Sequence, residues 1–412
     1  MREEGSPISE LVDLDAIEAA AGRLRGVVQR TPVEPSRAIS QLVGARTVLK
    51  CEHLQRTGSF KIRGAYNRID RLDAAERAGG VACASAGNHA QGVALSARLS
   101  GVPATVFMPA EAPLPKVQAT RAYGADVVLE GDTLADALEA AEKWTAGHGA
   151  TFVHPYEHPD VIAGQGTLGL EVLEQVPDVG TVVAPIGGGG LISGVASAVK
   201  ASRPGTRVVG VQAAGAASVP ASLEAGEPRG VEHPSTIADG IAVKAPGPLT
   251  LAHIQEHVDE VVTVGDEAIA RAVLLLVERA KQVVEPAGAA GLAALLAGGF
   301  ALVEPVVVLL CGGNVDPLLL QRIIQSGLVE EGRYHVLRTR LADRPGALSR
   351  LLRLLAGLGA NVVAVEHHRL DPTLHLLEVD VELAVETRGH EHVADVDRAL
   401  RDHGYSLYEP GP

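Results

Sequence analysis

An α/β protein with open parallel sheets, followed by a separate ferredoxin-like βαββαβ module, is the fold class that this sequence predicts. Three observations predict it. Short β-branched runs alternate with Ala/Leu-rich helical stretches, the runs are nearly continuously apolar, and the texture changes near 327–332. Strands apolar on both faces belong to a parallel sheet covered by helices rather than to a sandwich. The expected strands are 47–51, 80–84, 104–108, 126–129, 181–185, 208–212 and 305–310. The expected helices are 14–22, 87–99, 114–123, 133–145, 164–175, 191–201, 266–282 and 288–297. Between 213 and 248 the chain is rich in Ala, Gly and Pro and reads as a long irregular segment, of a kind that is often functional. From Tyr334 the order is strand 334–341, loop 342–345, helix 346–358, strands 361–369 and 374–385, helix 392–403 and a short strand at 406–408. The expected domains are 1–327, with a smaller subdomain at roughly 50–155, and 333–412.

Composition narrows the function classes. The 412 residues leave room for two or three domains, and 46% hydrophobic with 21% charged residues describes an ordinary globular chain. A net charge of -14 speaks against nucleic acid or an anionic membrane as the main partner. Cys51, Cys83 and Cys311 are odd in number and have no CxxC spacing. They favour neither a disulfide framework nor a zinc site, and they suit a reducing cytoplasm. No apolar signal segment follows Met1, and the longest apolar runs are strand-length, too short to span a bilayer.

Four motifs carry chemistry. The first is Ser59-Phe60-Lys61-Ile62-Arg63-Gly64-Ala65. Only seven of the 36 basic residues are lysines, and Lys61 is flanked by the apolar bulk of Phe60 and Ile62, with Gly58 and Gly64 allowing a close backbone approach. A desolvated amine loses its proton more readily and becomes a nucleophile toward carbonyls. Alone, the heptad also suits a solvated surface lysine.

The second motif, Ser85-Ala86-Gly87-Asn88-His89-Ala90-Gln91-Gly92, joins a strand end to a helix start, where free N–H groups bind anions such as a carboxylate. His89 by itself reads as a helix residue on a polar face, and Ser85 as an N-cap is the plainer alternative for the loop. The third motif, Gly187-Gly188-Gly189-Gly190, lies between an apolar strand and a helix and lets backbone N–H groups converge on a phosphate. No Gly-Lys-Ser/Thr and no GxGxxG spacing accompanies it, so a phosphate on a small cofactor fits better than ATP or NAD. Tight packing is the competing explanation. The fourth motif, Cys311-Gly312-Gly313-Asn314, ends a buried strand. Its cysteine is either a small core residue or a group facing the same crevice.

FKIRGA, SAGNHAQG, GGGG and CGGN, in this order, resemble the fold-type II pyridoxal-phosphate enzymes, the tryptophan synthase β-like group, over roughly residues 10–325. Within that group the chain resembles the threonine dehydratases (threonine ammonia-lyases) that carry one C-terminal ACT domain. The resemblance implies two parallel-sheet subdomains and pyridoxal 5'-phosphate bound covalently to Lys61. It further implies Phe60 packing beside the cofactor ring, Asn88 bonding its phenolic oxygen, Gly187, Gly188, Gly189 and Gly190 holding its phosphate, and Cys311 facing its pyridine nitrogen. Ser85, Ala86, Gly87 and His89 are implied to line the pocket for the substrate carboxylate. The implied reaction converts L-threonine to 2-oxobutanoate and ammonia, with L-serine giving pyruvate more slowly, as the first step toward isoleucine.

Serine dehydratases and serine racemases are similar rivals. In racemase relatives a serine fills the position of Ala86, whose methyl cannot serve as a second acid or base. A non-catalytic amino-acid-binding regulator is the rival of another class, and the intact Lys61, Asn88 and glycine-turn set speaks against it. No metal is assigned, because Gln212 stands where cation-binding relatives carry a carboxylate. Glu285 is open to two readings, tuning the site or simply preceding a helix that begins with Pro286.

The C-terminal module carries Leu341-Ala342-Asp343-Arg344-Pro345-Gly346-Ala347-Leu348 and Gly359-Ala360-Asn361-Val362. These resemble an ACT domain, which implies an amino-acid effector, isoleucine or valine, held at a subunit interface by Asp343, Arg344, Pro345, Gly346 and Asn361. A homo-oligomer, dimer or tetramer, goes with it; a purely assembling role for the module is the alternative. His367 and His368 are adjacent on one strand and point to opposite faces, so they cannot jointly ligate one ion.

Overall fold

The computed structural model describes residues 11–369, 375 and 377–408. The chain divides into two compact units at Asp316/Pro317, each described by itself. Among the described residues the first unit contains two sheets. The larger has the order Val33–Pro35, Thr47–Lys50, Val306–Leu309, Thr181–Pro185, Arg207–Ala213, Glu260–Val264, parallel throughout except for its first, antiparallel pair. The smaller is wholly parallel, in the order Asp126–Leu129, Ala104–Met108, Val81–Ala84, Thr151–Phe152. The inner strands Thr47–Lys50, Val81–Ala84, Thr181–Pro185 and Val306–Leu309 are buried at every position, as continuous apolar runs between helical layers require.

Most of the expected strands and helices lie close to their expected positions, and several further elements were not expected. The segment 213–248 is not wholly irregular: it contains the helix Val219–Ala225 and a 3-10 turn at Asp239–Ile241. The helix Pro248–His257 and the strand Glu260–Val264 were not anticipated either. The expected helix 266–282 stops being α-helical after Leu275, continues as a π turn at Leu276–Ala280 and is closed by Lys281 at φ 57°.

The motif around Lys61 itself opens a helix, Lys61–Asp70, whose buried Ile62, Ala65 and Ile69 recur at i, i+3 and i+7. Gly64 on this helix meets Gly164 on the helix Pro159–Gln175: a Cβ on Gly64 would lie 2.7 Å from the Val161 carbonyl oxygen, and one on Gly164 2.5 Å from that of Arg63. The close approach that Gly64 allows is therefore to a neighbouring helix. Two residues past Lys61, Arg63 is fully buried. Its Nε and Nη2 donate to the two oxygens of Glu52 at 2.8 and 3.0 Å, and its Nη1 lies 2.8 Å from Glu171, which also accepts from buried Lys50 at 2.7 Å.

In the second unit an antiparallel sheet has the order Asn361–His368, Glu378–Glu386, Tyr334–Ala342, Leu407–Tyr408. Helices Ala347–Gly357 and His390–Asp402 add Leu351, Leu355, Val396 and Leu400 to its apolar core with Val381, Leu383 and Val385. The helix Pro317–Glu330 belongs to this unit.

Arg63→Met strands the buried carboxylate of Glu52 without its partner and should lower unfolding free energy by about 3–5 kcal/mol in urea titration. Arg46→Ala, which breaks the exposed pair with Asp178, should hardly change it.

Candidate active site

The structure brings the four motifs together at the carboxyl ends of parallel strands, where open α/β sheets place their ligands. The four glycines follow Thr181–Pro185, Cys311 follows the neighbouring strand Val306–Leu309, and Ser85 to Asn88 follow Val81–Ala84 of the smaller sheet. The segment before Lys61 is stitched to Cys311–Asn314: Phe60 N–H donates to the Cys311 carbonyl at 3.2 Å, Gly313 N–H to the Gly58 carbonyl at 2.9 Å, and Ser59 bridges Gly312.

Lys61 Nζ donates to the Pro155 carbonyl at 3.0 Å and lies 5.3 Å from the centre of the Phe60 ring. Burial pushes its amine down to about 8, against a weaker opposing pull from Glu285. A substantial neutral fraction at physiological pH is what a nucleophile and base needs. Next to Pro155, Tyr156 covers the glycine turn: a Cβ on Gly188 would collide with the Tyr156 ring, and one on Gly190 would come 2.8 Å from Tyr156 Cβ. Gly189 adopts φ 99° and begins the helix Gly190–Ser202, which no side chain caps. The consecutive residues Pro155 and Tyr156 thus link the Lys61 amine to this uncapped helix start, whose N–H groups and dipole end favour an anion.

Ser85, Ala86, Gly87 and Asn88 are half-exposed at the start of the helix Asn88–Ser100; Ser85 Oγ accepts from Gly87 N–H at 3.1 Å, and Gly87 is the uncapped N-cap. His89 departs from the expected pocket lining. Its ring is buried and its Nε2 bonds the Val153 carbonyl at 2.8 Å, so only its backbone remains at the helix start. Burial holds the ring neutral, down to about 3. The Cys311 thiol bonds the Leu309 carbonyl, and burial pushes it well above the usual thiol range, so it is a neutral group.

Glu285 precedes the helix Pro286–Ala297 at its N-cap position, where its side chain caps nothing; its buried carboxylate instead accepts from Asn88 Nδ2 at 2.7 Å. Burial first, then the charge of Asp239, pushes it up to about 7. Pro155, Tyr156 and Asn314 went unassigned in the sequence. A carbonyl has no signature of its own, whereas Asn314 was visible as the last residue of CGGN. Gln212 is buried, with its Oε1 accepting from Val219 N–H at 2.8 Å, and no cluster of metal-ligating residues occurs among the described residues.

In the second unit, Asp343, Arg344, Pro345 and Gly346 line a cavity of about 270 Å³ with His367 and Arg369, and Arg369 pairs with Asp343 at 3.2 Å. Asn361 does not join them within one chain. Ala342 lies opposite Glu378 and Asn361 opposite Glu386, eight residues along the same strand, a separation on the order of 25 Å.

A lysine amine, an anion-binding glycine turn, an amide and a neutral thiol form a donor set that fits a phosphorylated pyridine aldehyde. A model of the pyridoxal-phosphate-dependent enzymes matches residues 24–312, and an ACT-domain model matches 335–404. The chain belongs to the pyridoxal-phosphate-dependent enzymes. Pyridoxal phosphate is its cofactor, and its second unit carries an ACT domain. Over 96% of this chain and 99% of the relative, this pyridoxal-phosphate enzyme is 48% identical to an L-threonine ammonia-lyase of Thermotoga maritima. Among solved structures, a threonine deaminase from T.th. is 45% identical with a TM-score of 0.71, covering 74% of this chain and 99% of that one. Maize serine racemase is 38% identical with a TM-score of 0.73, covering 78% and 100%.

Gly188→Ala, which drives a methyl into the Tyr156 ring, should weaken pyridoxal phosphate binding tenfold or more, at least about 1.4 kcal/mol, in a cofactor titration while circular dichroism stays unchanged. Acidification has a calculable sign. Burial lowers His89 to about 3 and His154 and His253 to about 4, from 6.5. The unfolded chain therefore takes up protons near pH 6.5 that the folded chain refuses. Stability from these three groups is complete above about pH 6.5 and is lost progressively toward pH 4, which thermal unfolding across that range should display.

Proposed function

We propose that this enzyme deaminates L-threonine to 2-oxobutanoate and ammonia, with L-serine as a poorer substrate, in the cytoplasm. One observation carries the reading over its racemase rival: Lys61 supplies a single basic amine, and the half-exposed Ala86 puts a methyl where racemase relatives carry a serine. Lys61 would anchor the cofactor and, once released, take the proton from the substrate Cα. Gly187, Gly188, Gly189 and Gly190 would hold the phosphate, Asn88 the phenolic oxygen, Cys311 the pyridine nitrogen, and Phe60 the ring's edge. Bound pyridoxal phosphate supplies an electron sink for the charge left on Cα. The uncapped N–H groups after Ser85, Ala86 and Gly87 would hold the substrate carboxylate beside that amine. No helix among the described residues is long and apolar enough to cross a membrane.

The ACT unit would bind isoleucine, or valine, in the cavity at Asp343 to Gly346 and lower the apparent affinity for threonine. Arg369 beside Asp343 offers a partner for the effector's carboxylate, and Leu341 and Leu348 offer apolar lining. The edge strand Asn361–His368 is exposed along nearly its whole length, including Val363 and Val365. Antiparallel pairing of this edge with that of a second copy would carry the second copy's Asn361 to the cavity, which supports a dimer or a tetramer built from it.

Lys61→Ala should abolish 2-oxobutanoate formation with the fold intact, and residual turnover would remove Lys61 from its role. Substantial D-serine made from L-serine by the unaltered enzyme would overturn the argument from Ala86. Gly346→Val, at φ 86°, should desensitise the full-length enzyme to isoleucine without loss of basal turnover. The coupling thereby removed is expected at about 1–3 kcal/mol.

A further inference from the structure

We propose that Asn314 is a positioning residue that fixes which end of the Asn88 side-chain amide faces the cofactor, an inference that rests on the cofactor-facing placement of Asn88 proposed above. The orientation originates at a main-chain carbonyl. Asn314 Nδ2 donates to the Thr57 carbonyl at 2.7 Å and to Asn88 Oδ1 at 2.7 Å. A carbonyl only accepts, so the end of Asn314 that meets it is the NH2 group. Its second proton finds an acceptor in Asn88 only when Asn88 presents its oxygen. Asn88 must then turn its own NH2 toward Glu285, whose Oε1 accepts at 2.7 Å. Ionised, as it is above about pH 7, Glu285 also only accepts. Both ends of the chain of bonds thus demand the same orientation. One Asn88 proton serves Glu285, and the other is left for an oxygen in the crevice. A reversed amide would oppose that oxygen with a carbonyl.

The surroundings are shaped for this clamp. Thr57 adopts φ 64°, ψ 11°, a conformation that is an outlier for a β-branched residue and is kept only where neighbours over-determine it. A Cβ on Gly58, itself at φ 70°, would run into Asn314 Oδ1, and one on Gly312 into Glu285 Oε1. The glycines that the motifs TGSFK and CGGN share with this site thus leave space for the two side chains that grip Asn88.

The test compares Asn314→Asp with Asn314→Ala in the full-length enzyme. Aspartate keeps the shape but replaces the donor with an acceptor, which turns the Asn88 oxygen outward. It should weaken pyridoxal phosphate binding roughly tenfold or more and raise the pH midpoint of the bound cofactor's visible absorption band by about one unit. Alanine should shift both in the same direction but less. A merely structural Asn314 predicts the reverse order, since alanine leaves a hole that aspartate fills, and that order would overturn the proposal. Should the aspartate variant not fold, an unchanged band midpoint in Asn314→Ala overturns it equally. Asn88→Ala separates the two readings. No spectral effect at Asn88 removes its cofactor-facing role and the clamp with it, whereas an effect at Asn88 with none at Asn314 removes the clamp alone.

Discussion

The buried ionic cluster behind Lys61 is the constraint on which the site depends. Arg63, Glu52, Glu171 and Lys50 come from four separate segments: the Lys61 helix, the turn after the strand Thr47–Lys50, the helix Pro159–Gln175 and that strand itself. Lys50 also donates to the Thr31 carbonyl at 2.7 Å and to Gln175, drawing in the N-terminal segment. A buried ion pair adds little net stability, because desolvation cancels most of the attraction. What it adds is intolerance of slippage: a carboxylate moved from a guanidinium in this interior stays unpaired. The Gly64–Gly164 contact leaves the two helices no slack in the other direction. Lys61 sits one turn or less from both restraints, so its amine is aimed by parts that cannot shift independently.

The strands and the glycine-rich turns that follow them were legible in the sequence, because parallel strands are apolar at every position and strand-to-helix turns concentrate glycine, whereas the ionic cluster was not. The apolar runs at 181–185 and 305–310 read as buried strands of a parallel sheet, which placed the motifs after them at a common carboxyl edge. Legibility failed where the deciding group is not a side chain or the deciding fact is a register. The Pro155 carbonyl that receives Lys61 has no residue signature. Asn361 was expected with Asp343 in a pocket at a subunit interface; within one chain, the pairing of Tyr334–Ala342 and Asn361–His368 through Glu378–Glu386 puts them at opposite ends, a separation that motif spacing could not show. The helix Pro248–His257 was concealed by the Pro246-Gly247-Pro248 run with which it begins, although Pro248 is a good first residue for a helix.

His89 shows a third kind of failure. It was expected on a polar helix face or, by the resemblance, lining the carboxylate pocket, but its ring is buried, bonds the Val153 carbonyl and is kept neutral by burial. The charge that the helix N-terminus can offer is therefore its own backbone dipole, undiluted by an imidazolium and unchanged through the physiological pH range. The residue next to it carries the opposite lesson. Asn88 is neutral as well, yet it is bonded from two sides, by Asn314 and by the Glu285 carboxylate, so a residue without charge can acquire a direction.

Neutrality recurs where reaction choice is decided. The Cys311 thiol is kept protonated by burial, so a pyridine nitrogen facing it would gain no full proton charge, and the cofactor would be a weaker sink than one paired with a carboxylate. A weaker sink would favour prompt loss of a β-hydroxyl, which needs a proton to leave as water, over longer storage of charge in the ring. Ala86 would close the other route if it stands where racemase relatives carry a serine, since a methyl cannot return a proton to the second face of Cα. Each residue alone is a small, bland substitution. On the proposed placement, Lys61 would then be the basic amine beside the proton being moved, with the neutral Cys311 and Ala86 offering neither stabilisation nor reprotonation in competition with elimination.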